Sequence, residues 1–178
     1  ACVGGVRYQQ DAHLDPARFV RHLAQRAQEA GVEIIESAEV LHIDSRSRAV
    51  TVVDTTRGAF RPGQLVLAAG SWSSPLAAGL RLDLPIQPAK GYSIEIEAPV
   101  DTPAMPFMLT EAKVAVTPLG QGRLRFAGTL ELAGLDLSIN RRRVDAIMQA
   151  VPRYLPTWNP AGMQVHEVWR GLRPCTPD

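Results

Sequence analysis

Prolines recur after Leu82 at intervals too short to admit a long helix. A proline inside a helix removes a backbone hydrogen bond and clashes with the preceding turn. Within this stretch, the alternation of apolar and polar residues over 92–97 predicts a half-exposed β-strand. The prolines concerned are Pro85, Pro88, Pro99, Pro103 and Pro106.

The remainder of this second half predicts an antiparallel sheet with one helix. Residues 114–117 and 123–129 form a predicted hairpin across the turn at 119–122. A helix is predicted from about Asn140, and a final strand over 166–169. The residues that share the apolar face of this helix are Val144, Ile147, Met148 and Val151.

The first half predicts an α/β arrangement. Asp15 and Pro16 are typical of a helix start, and Gly31 of a helix end. Short strands are predicted over 32–35, 38–43 and 49–55, with a turn at 57–58 toward a partner strand. Residues 64–70 form a predicted strand without alternation, as expected of a parallel sheet buried on both sides. Ser71 or Ser73 is predicted to cap a short helix through Leu80.

Charge and composition exclude several classes of function. The net charge is +1, with 19 basic and 18 acidic residues, which gives no reason to expect a nucleic-acid partner. The only dense basic run, at 141–143, is read as a solvated helix start, with an acidic partner or a lipid headgroup as the alternative. Cys2, Cys175 and the four histidines lack ligand spacing, so no metal site is predicted, and two distant cysteines fit a reducing compartment. No stretch reaches the roughly 18 apolar residues of a membrane span.

Three short segments carry candidate chemistry. Arg173, flanked by Gly171 and Pro174, has a restricted backbone and a planar fork suited to a carboxylate, although a structural salt bridge is the alternative. Small residues at 68–71 would let a ligand approach the backbone closely. Lys90 and Tyr92 are polar groups beside Gly91, and an exposed start of a strand is the alternative there.

Taken in order, the segments resemble the D-amino-acid oxidase superfamily of FAD-dependent flavoproteins, and within it the bacterial D-amino-acid dehydrogenase branch. The matching segments, spread over nearly the whole chain, are 14–16, 31–32, 39–40, 66–73, 90–93, 113–117, 123–128, 171–174 and 176–178. The segment at 90–93 together with the ending at 176–178 favours the dehydrogenase branch over the oxidases.

The resemblance implies an FAD-binding domain joined to a substrate domain built on an antiparallel sheet. Residues 1–82 would be the middle of the FAD domain, 83–172 the substrate domain, and 173–178 the start of the return to the FAD domain. No GxGxxG segment is present, so we expect an internal piece of a larger enzyme that, in isolation, neither retains FAD nor catalyses a reaction.

The resemblance also assigns roles to individual residues. Arg173 corresponds to the arginine that binds the substrate carboxylate. Val40 would meet the adenine through its backbone, and the turn Ala69-Gly70-Ser71-Trp72 would pass close to the flavin nucleotide. Related oxidases carry a tyrosine in the strand matching 114–116, and none is present here, so the substrate would be held by Arg173 or Tyr92.

The implied reaction is hydride transfer from the Cα of a D-amino acid to flavin N5, and hydrolysis of the resulting imino acid yields a 2-oxo acid and ammonia. Electrons would pass to a respiratory carrier, which implies a bacterial enzyme in the cytoplasm or at the inner face of the cytoplasmic membrane. Two alternatives remain open. One is a glycine, sarcosine or hydroxyproline oxidoreductase of the same superfamily, and the other is a binding module for small carboxylates without flavin chemistry.

Overall fold

The computed structural model describes residues 3–47, 49–155, 158 and 162–177, so Cys2 and Asp178 lie outside the described residues. The chain divides into two compact units. We call Pro88–Arg173, with the stretch up to Leu14, the five-strand unit. The three-strand unit comprises Asp15–Gln87 and the residues after Arg173. The domain limits at 82 and 172 inferred from the sequence stay predictions.

The three-strand unit begins with helix α1 (Pro16–Glu29), which starts where the sequence predicts. The Asp15 carboxylate accepts hydrogen bonds from the backbone N–H groups of Ala17 at 2.9 Å and Arg18 at 3.1 Å. These bonds satisfy two of the N–H groups that a helix start leaves without partners. Gly31 follows the helix with φ +91°, a conformation that glycine adopts without strain.

The sheet of this unit is antiparallel, in the order β1-β2-β3. Its strands are β1 (Val40–Arg46), β2 (Ala49–Thr55) and β3 (Gly58–Phe60). The strand predicted at 49–55 and its partner after the turn at 57–58 are therefore confirmed. Ile43 and Val53 face each other across β1 and β2 and supply buried apolar contacts.

Two predicted strands of this unit are wrong. Residues 32–35 and 64–69 form no strand, and Val66 exposes 85% of its surface. A strand needs neighbours for its backbone N–H and C=O groups, and the described residues supply none to either stretch. A short 3-10 helix (Gly70–Trp72) and helix α2 (Ser73–Gly79) follow. The short helix in this region is as predicted, but the predicted cap is wrong, since neither Ser71 nor Ser73 caps it through a side-chain hydrogen bond.

The five-strand unit contains the second sheet, in the order β5-β6-β7-β4-β8. Strands β6 (Val114–Gly120) and β7 (Arg123–Glu131) form the predicted hairpin. Strand β4 (Gln87–Glu97) lies between β7 and β8 (Val165–Cys175), and short β5 (Phe107–Leu109) pairs with β6. The final strand is therefore longer than predicted and includes Arg173.

Helix α3 (Arg141–Ala150) packs on one side of this sheet, which we call the helix face. The ring of Phe126 lies 6.0 Å from the ring of Trp158, between centroids. The prediction of this helix and its apolar side is confirmed. Residues buried in this core include Ile94, Ile96, Val116, Leu124, Phe126, Val144, Ile147 and Val151.

Strand β4 is not half-exposed, as the alternation over 92–97 had predicted. Ser93 and Glu95 are 7% and 5% exposed, so both sides of the strand are buried. Glu95 can be buried because two arginines of β7 neutralise its carboxylate. Alternation predicts which residues share a side of a strand, and it does not detect such a pairing partner.

The molecule is thus a mixed α/β structure, as expected from the sequence. The antiparallel sheet of the five-strand unit is also as expected, whereas the described sheet of the three-strand unit is antiparallel and not part of a parallel sheet. Among the described residues, no helix has the length and apolar character needed to cross a membrane.

Candidate functional site

Strand β8 presents its residues to two different faces of the five-stranded sheet. Val168 packs against the core on the helix face. Because neighbouring side chains of a strand point to opposite sides, Trp169, Gly171 and Arg173 project from the other side. We call this side the opposite face.

Arg173 lies on the opposite face with its side chain exposed. Within the described part of the chain, no hydrogen bond or ion pair engages its guanidinium. The backbone N–H of Glu97, at the end of β4, donates to the carbonyl of Gln164, just before β8. The two strands therefore run in opposite directions, and Arg173 lies beside the beginning of β4.

The indole of Trp169 lies across Gly171, two residues before Arg173 in the same strand. A Cβ atom placed on Gly171 would clash with Cη2 of this ring, so the ring in this position leaves room only for glycine beneath it. Trp169 is half exposed and forms an apolar surface on the same face as the arginine. Sequence reasoning missed this role of Trp169, although the spacing of 169, 171 and 173 shows that they share a face.

A β-bulge brings a second apolar side chain to the opposite face. Tyr92 pairs with Gly128 and Gly91 pairs with Leu130, so Thr129 is the extra residue, with φ +56°. A bulge re-aims the side chains that follow it. Leu130 consequently lies over Gly91, where a Cβ atom would be 3.7 Å from its Cδ2. No pattern in the sequence reveals this bulge.

Lys90 and Tyr92 lie on the helix face and are almost fully buried, not at an exposed start of a strand. Lys90 Nζ donates to Asp136 Oδ2 at 2.8 Å and to the carbonyl of Ser138 at 3.0 Å. The Tyr92 hydroxyl donates to Glu131 Oε2 at 2.6 Å. Arg143 Nε lies 3.3 Å from the same Glu131 oxygen. Each charge of this cluster therefore has an opposite partner.

These contacts shift the protonation equilibria of the cluster. The hydrogen bond to Asp136 raises the pKa of Lys90 above its ordinary 10.5, although burial opposes the shift. The same bond, with those from Ser138, holds the pKa of Asp136 well below 3.8. The Tyr92 hydroxyl, followed by the charge of Lys90, lowers the pKa of Glu131.

The structure therefore does not bring together the two residues predicted to hold a substrate. Tyr92 is part of the buried core on the helix face, and Arg173 is on the opposite face. Tyr92 has its hydroxyl engaged by Glu131 and by the backbone N–H of Asn140 at 3.4 Å. Arg173 is the predicted substrate residue that remains available to a ligand.

Another charged group on the opposite face is already neutralised. Glu95 accepts from Arg125 Nε at 3.2 Å and from Arg123 Nη1 at 3.3 Å. Because this carboxylate is buried and engages both guanidinium groups, the cluster has a structural explanation. The described residues contain no group of three acidic, histidine or cysteine side chains that could hold a metal ion.

The turn 69–72 in the three-strand unit is open to a polar ligand. Gly70 has φ +55°, and among the described residues beyond its two chain neighbours none lies within 4 Å of the position a Cβ would take. The hydroxyl of Ser71 is buried and has no hydrogen-bond partner among the described residues. A buried hydroxyl without a partner is costly, so a bound polar group would stabilise this turn.

Val40, the predicted adenine contact, is the first residue of edge strand β1. It pairs with Thr55 of β2 on one side. No described strand pairs with the other side of β1, so backbone groups at this edge remain accessible to a planar ligand. Ala69, Gly70, Ser71, Trp72 and Val40 all belong to the three-strand unit.

The family model described as "FAD dependent oxidoreductase" matches residues 1–178 of this chain. A D-amino acid dehydrogenase of Vibrio atlanticus is 35% identical over 178 residues, which is 99% of this chain and 42% of the relative. A D-amino acid dehydrogenase of Bradyrhizobium diazoefficiens is 36% identical, over 98% of this chain and 41% of the relative. The chain thus spans about two fifths of the length of these relatives.

Solved structures show the same fold. Glycine oxidase from Geobacillus kaustophilus superimposes with a TM-score of 0.76 and 28% identity, over 88% of this chain and 41% of that protein. L-proline dehydrogenase from P. horikoshii superimposes with a TM-score of 0.78 over 92% of this chain and 45% of that protein, at 20% identity.

Proposed function

This chain belongs to the family of FAD-dependent oxidoreductases, and we propose that it serves the oxidation of D-amino acids to 2-oxo acids and ammonia. The observation that carries the proposal is Arg173, an exposed arginine without a described partner on a strand face that is otherwise apolar around it. The identity of about 35% to D-amino acid dehydrogenases supports this choice of substrate.

Arg173 would hold the carboxylate of the amino acid through two parallel N–H···O bonds. Arginine matches a carboxylate in this way because its donors form a rigid planar fork. The grip engages the group of the substrate that does not react, so the Cα–H bond remains free to be oriented. We assign no such contact to Tyr92, because its hydroxyl is engaged on the helix face.

Trp169 and Leu130 would contact the substrate side chain. Both lie on the face of Arg173, both are at least half exposed, and both are apolar. The segment 114–116, which matches the oxidase tyrosine, offers only Ala115 to this face, since Val114 and Val116 are buried on the helix face. Among the residues named on this face, only Arg173 would bind the substrate carboxylate.

The three-strand unit fits a role in holding FAD. The open backbone at Gly70 and the buried hydroxyl of Ser71 suit a polar cofactor segment, and the free edge at Val40 suits a planar ring. Ala69 and Trp72 complete the turn that would approach the flavin nucleotide. The chemistry that FAD supplies in such an enzyme is acceptance of a hydride at N5.

The proposed reaction does not require a residue on the face of Arg173 to act as a base. If the amine binds in its neutral form, orientation of the Cα–H bond is the main task of the protein. We further propose that electrons pass to a respiratory carrier at the cytoplasmic side of the membrane, as the resemblance to the dehydrogenase branch implies.

A second candidate is oxidation of glycine or a secondary amine, such as sarcosine or hydroxyproline. The structural likeness to a glycine oxidase, at 28% identity, favours it. A small substrate would leave the surfaces of Trp169 and Leu130 without contact. A carboxylate-binding module without flavin chemistry is the remaining alternative.

An anaerobic titration of the flavin-loaded full-length protein with D-alanine and L-alanine tests the proposal. D-alanine should bleach the visible absorbance of the flavin, and Arg173→Leu should raise the concentration required by about 100-fold or more. Arg170→Leu is the matched control, because Arg170 occupies the same strand and donates to Leu137 on the helix face. Bleaching by glycine or sarcosine but by neither alanine isomer would select the second candidate.

A further inference from the structure

We propose that a trough on the opposite face receives the substrate side chain and selects D-amino acids whose side chains are long and carry a hydrogen-bonding atom. The floor of this trough consists of Ala115, Ala127 and Ser93, on the neighbouring strands β6, β7 and β4. Ala115 pairs with Ala127, and Ala127 pairs with Ser93. Paired residues share a face, and Ser93 alternates with Tyr92 and Ile94 of the helix face, so all three floor residues lie on the opposite face.

Larger side chains surround this floor on the same face. Met108 of the edge strand β5 pairs with the floor residue of β6 and is 58% exposed. Trp169 of β8 and Leu130 of β7 are also at least half exposed. Arg125 of β7 bounds the remaining side, where its guanidinium is engaged by Glu95. Because alanine and serine project little from a sheet, the surface between these larger side chains is concave.

Ser93 supplies a hydroxyl group to the floor. The residue is 7% exposed, and its hydroxyl forms no hydrogen bond within the described part of the chain. Among the described residues, the enclosed side-chain oxygens without a partner belong to Ser71 and Thr129, so the oxygen of Ser93 remains accessible from the opposite face. A hydroxyl without a partner costs free energy when apolar groups cover it. The trough therefore favours a side chain that brings a polar atom to Ser93.

The position of the trough relative to Arg173 selects the length of the side chain. Arg173 lies beside the beginning of β4, whereas Ser93 is in the middle of that strand. At about 3.3 Å per residue, the floor lies well beyond the immediate surroundings of Arg173. In the proposed function, on which this assignment rests, Arg173 holds the substrate carboxylate. The methyl group of D-alanine is then too short to reach the floor, whereas a side chain as long as that of tyrosine extends along the ring of Trp169 to Ser93.

Calorimetric titration of the flavin-loaded full-length protein with three carboxylates tests the proposal. Propionate, 3-phenylpropionate and 3-(4-hydroxyphenyl)propionate carry the carbon skeletons of alanine, phenylalanine and tyrosine without the amine. We expect 3-phenylpropionate to bind at least about 10-fold more tightly than propionate, because its ring buries apolar surface in the trough. The phenol hydroxyl should add about a further fivefold through its hydrogen bond with Ser93.

Two substitutions in the floor separate its shape from its hydroxyl. Ser93→Ala should abolish the difference between the two aromatic carboxylates, because the phenol then lacks its partner. Ala127→Leu fills the floor and should weaken binding of both aromatic carboxylates by at least about 10-fold relative to propionate. Ala146→Leu is the matched control, because Ala146 is exposed on α3, and it should change no affinity by more than about twofold. Circular dichroism checks that each variant is folded.

Equal affinity for propionate and 3-phenylpropionate, or no binding of any of the three carboxylates, would overturn the proposal. An advantage of the phenol that persists in Ser93→Ala would overturn it too, and so would loss of bound flavin in Ala127→Leu, which would assign the trough to the cofactor. Calorimetry detects binding without any oxidation. A protein that binds the long carboxylates but oxidises no D-amino acid would keep the trough and lose the proposed function, whereas bleaching by D-alanine without a preference for long carboxylates would do the reverse.

Discussion

The two faces of the five-stranded sheet use charge in opposite ways at the same end of the unit. On the helix face, the buried Lys90 pairs with Asp136 and Glu131, and each ion has a partner within hydrogen-bond or ion-pair distance. On the opposite face, Arg173 is exposed and has no partner among the described residues. A charge matched inside the chain is a structural element, whereas a charge left unmatched on a shaped surface is available to a ligand.

The largest expected effect is on thermal stability, and it should distinguish Lys90 from Arg173 directly. Lys90→Met removes the buried counter-ion of Asp136 and leaves Glu131 with Arg143 alone, and we expect the midpoint of thermal unfolding to fall by about 10 °C. Arg173→Met removes the same charge from the opposite face and should change this midpoint by less than about 2 °C. Circular dichroism melts of both variants measure the difference, and equal losses would contradict the comparison.

Substitution of one glycine on each face by alanine compares the packing of the two faces. A Cβ at Gly128, on the helix face, would lie 2.9 Å from the carbonyl oxygen of Lys113, so backbone must move. Gly128→Ala should therefore lower the free energy of unfolding by about 1–3 kcal/mol. Gly91→Ala adds a methyl group 3.7 Å from Leu130 on the opposite face, within ordinary contact distance. Its effect in denaturant unfolding should stay within about 0.5 kcal/mol, and a loss as large as that of Gly128→Ala would refute the assignment of the faces.

A smaller effect should appear in the pH dependence of stability. The pKa values of Asp136 and Glu131 in the folded chain are below their ordinary 3.8 and 4.5. A lowered pKa contributes stability above the ordinary value, and the contribution is lost as the pH falls toward the folded pKa. The raised pKa of Lys90 acts at the other end, where stability is present below 10.5 and is lost at higher pH.

Asp136→Asn should accordingly lower the unfolding midpoint at pH 7 and flatten its decline in acid, so that the two melting curves converge at low pH. Asp145→Asn is the control, because Asp145 is exposed and forms no ion pair in the described part of the chain. Its midpoint should follow that of the unchanged chain at each pH. An Asp136→Asn curve that stays parallel to the unchanged chain would rule out the coupling of this cluster to folding.

Much of the fold could be predicted because local signals agree with the final structure. Asp15 and Pro16 start α1, and the glycine-containing turn at 119–122 joins β6 and β7. The failures at 32–35 and 64–69 share one cause: a strand depends on neighbours distant in sequence, and apolar content alone does not supply them. The same limit explains why β4 appeared half-exposed, since only the tertiary structure brings Arg123 and Arg125 to Glu95.

The candidate site could be predicted in part. Arg173 was accessible to sequence reasoning because its flanking residues and order along the chain are informative. Tyr92 was placed with it because the segment 114–116 lacks the tyrosine of related oxidases and Tyr92 is a polar group beside Gly91. The alternation of β4 and β8 assigns Tyr92 and Arg173 to different faces. The contribution of Leu130 depends on the bulge at Thr129. This bulge requires a positive φ at Thr129, and threonine is not a residue type that indicates a positive φ.

Binding of propionate to the flavin-loaded full-length protein, followed by the visible spectrum of the flavin, tests the role of Arg173 most directly. Propionate carries the carboxylate of alanine without its reactive amine, so the measurement reports the grip alone. Arg173→Leu should raise the dissociation constant by about 100-fold. Arg173→Lys should raise it by less, because lysine keeps the positive charge but not the planar fork. Arg170→Leu should leave it within about threefold of the unchanged protein. Equal affinity in the unchanged protein and Arg173→Leu would contradict the account.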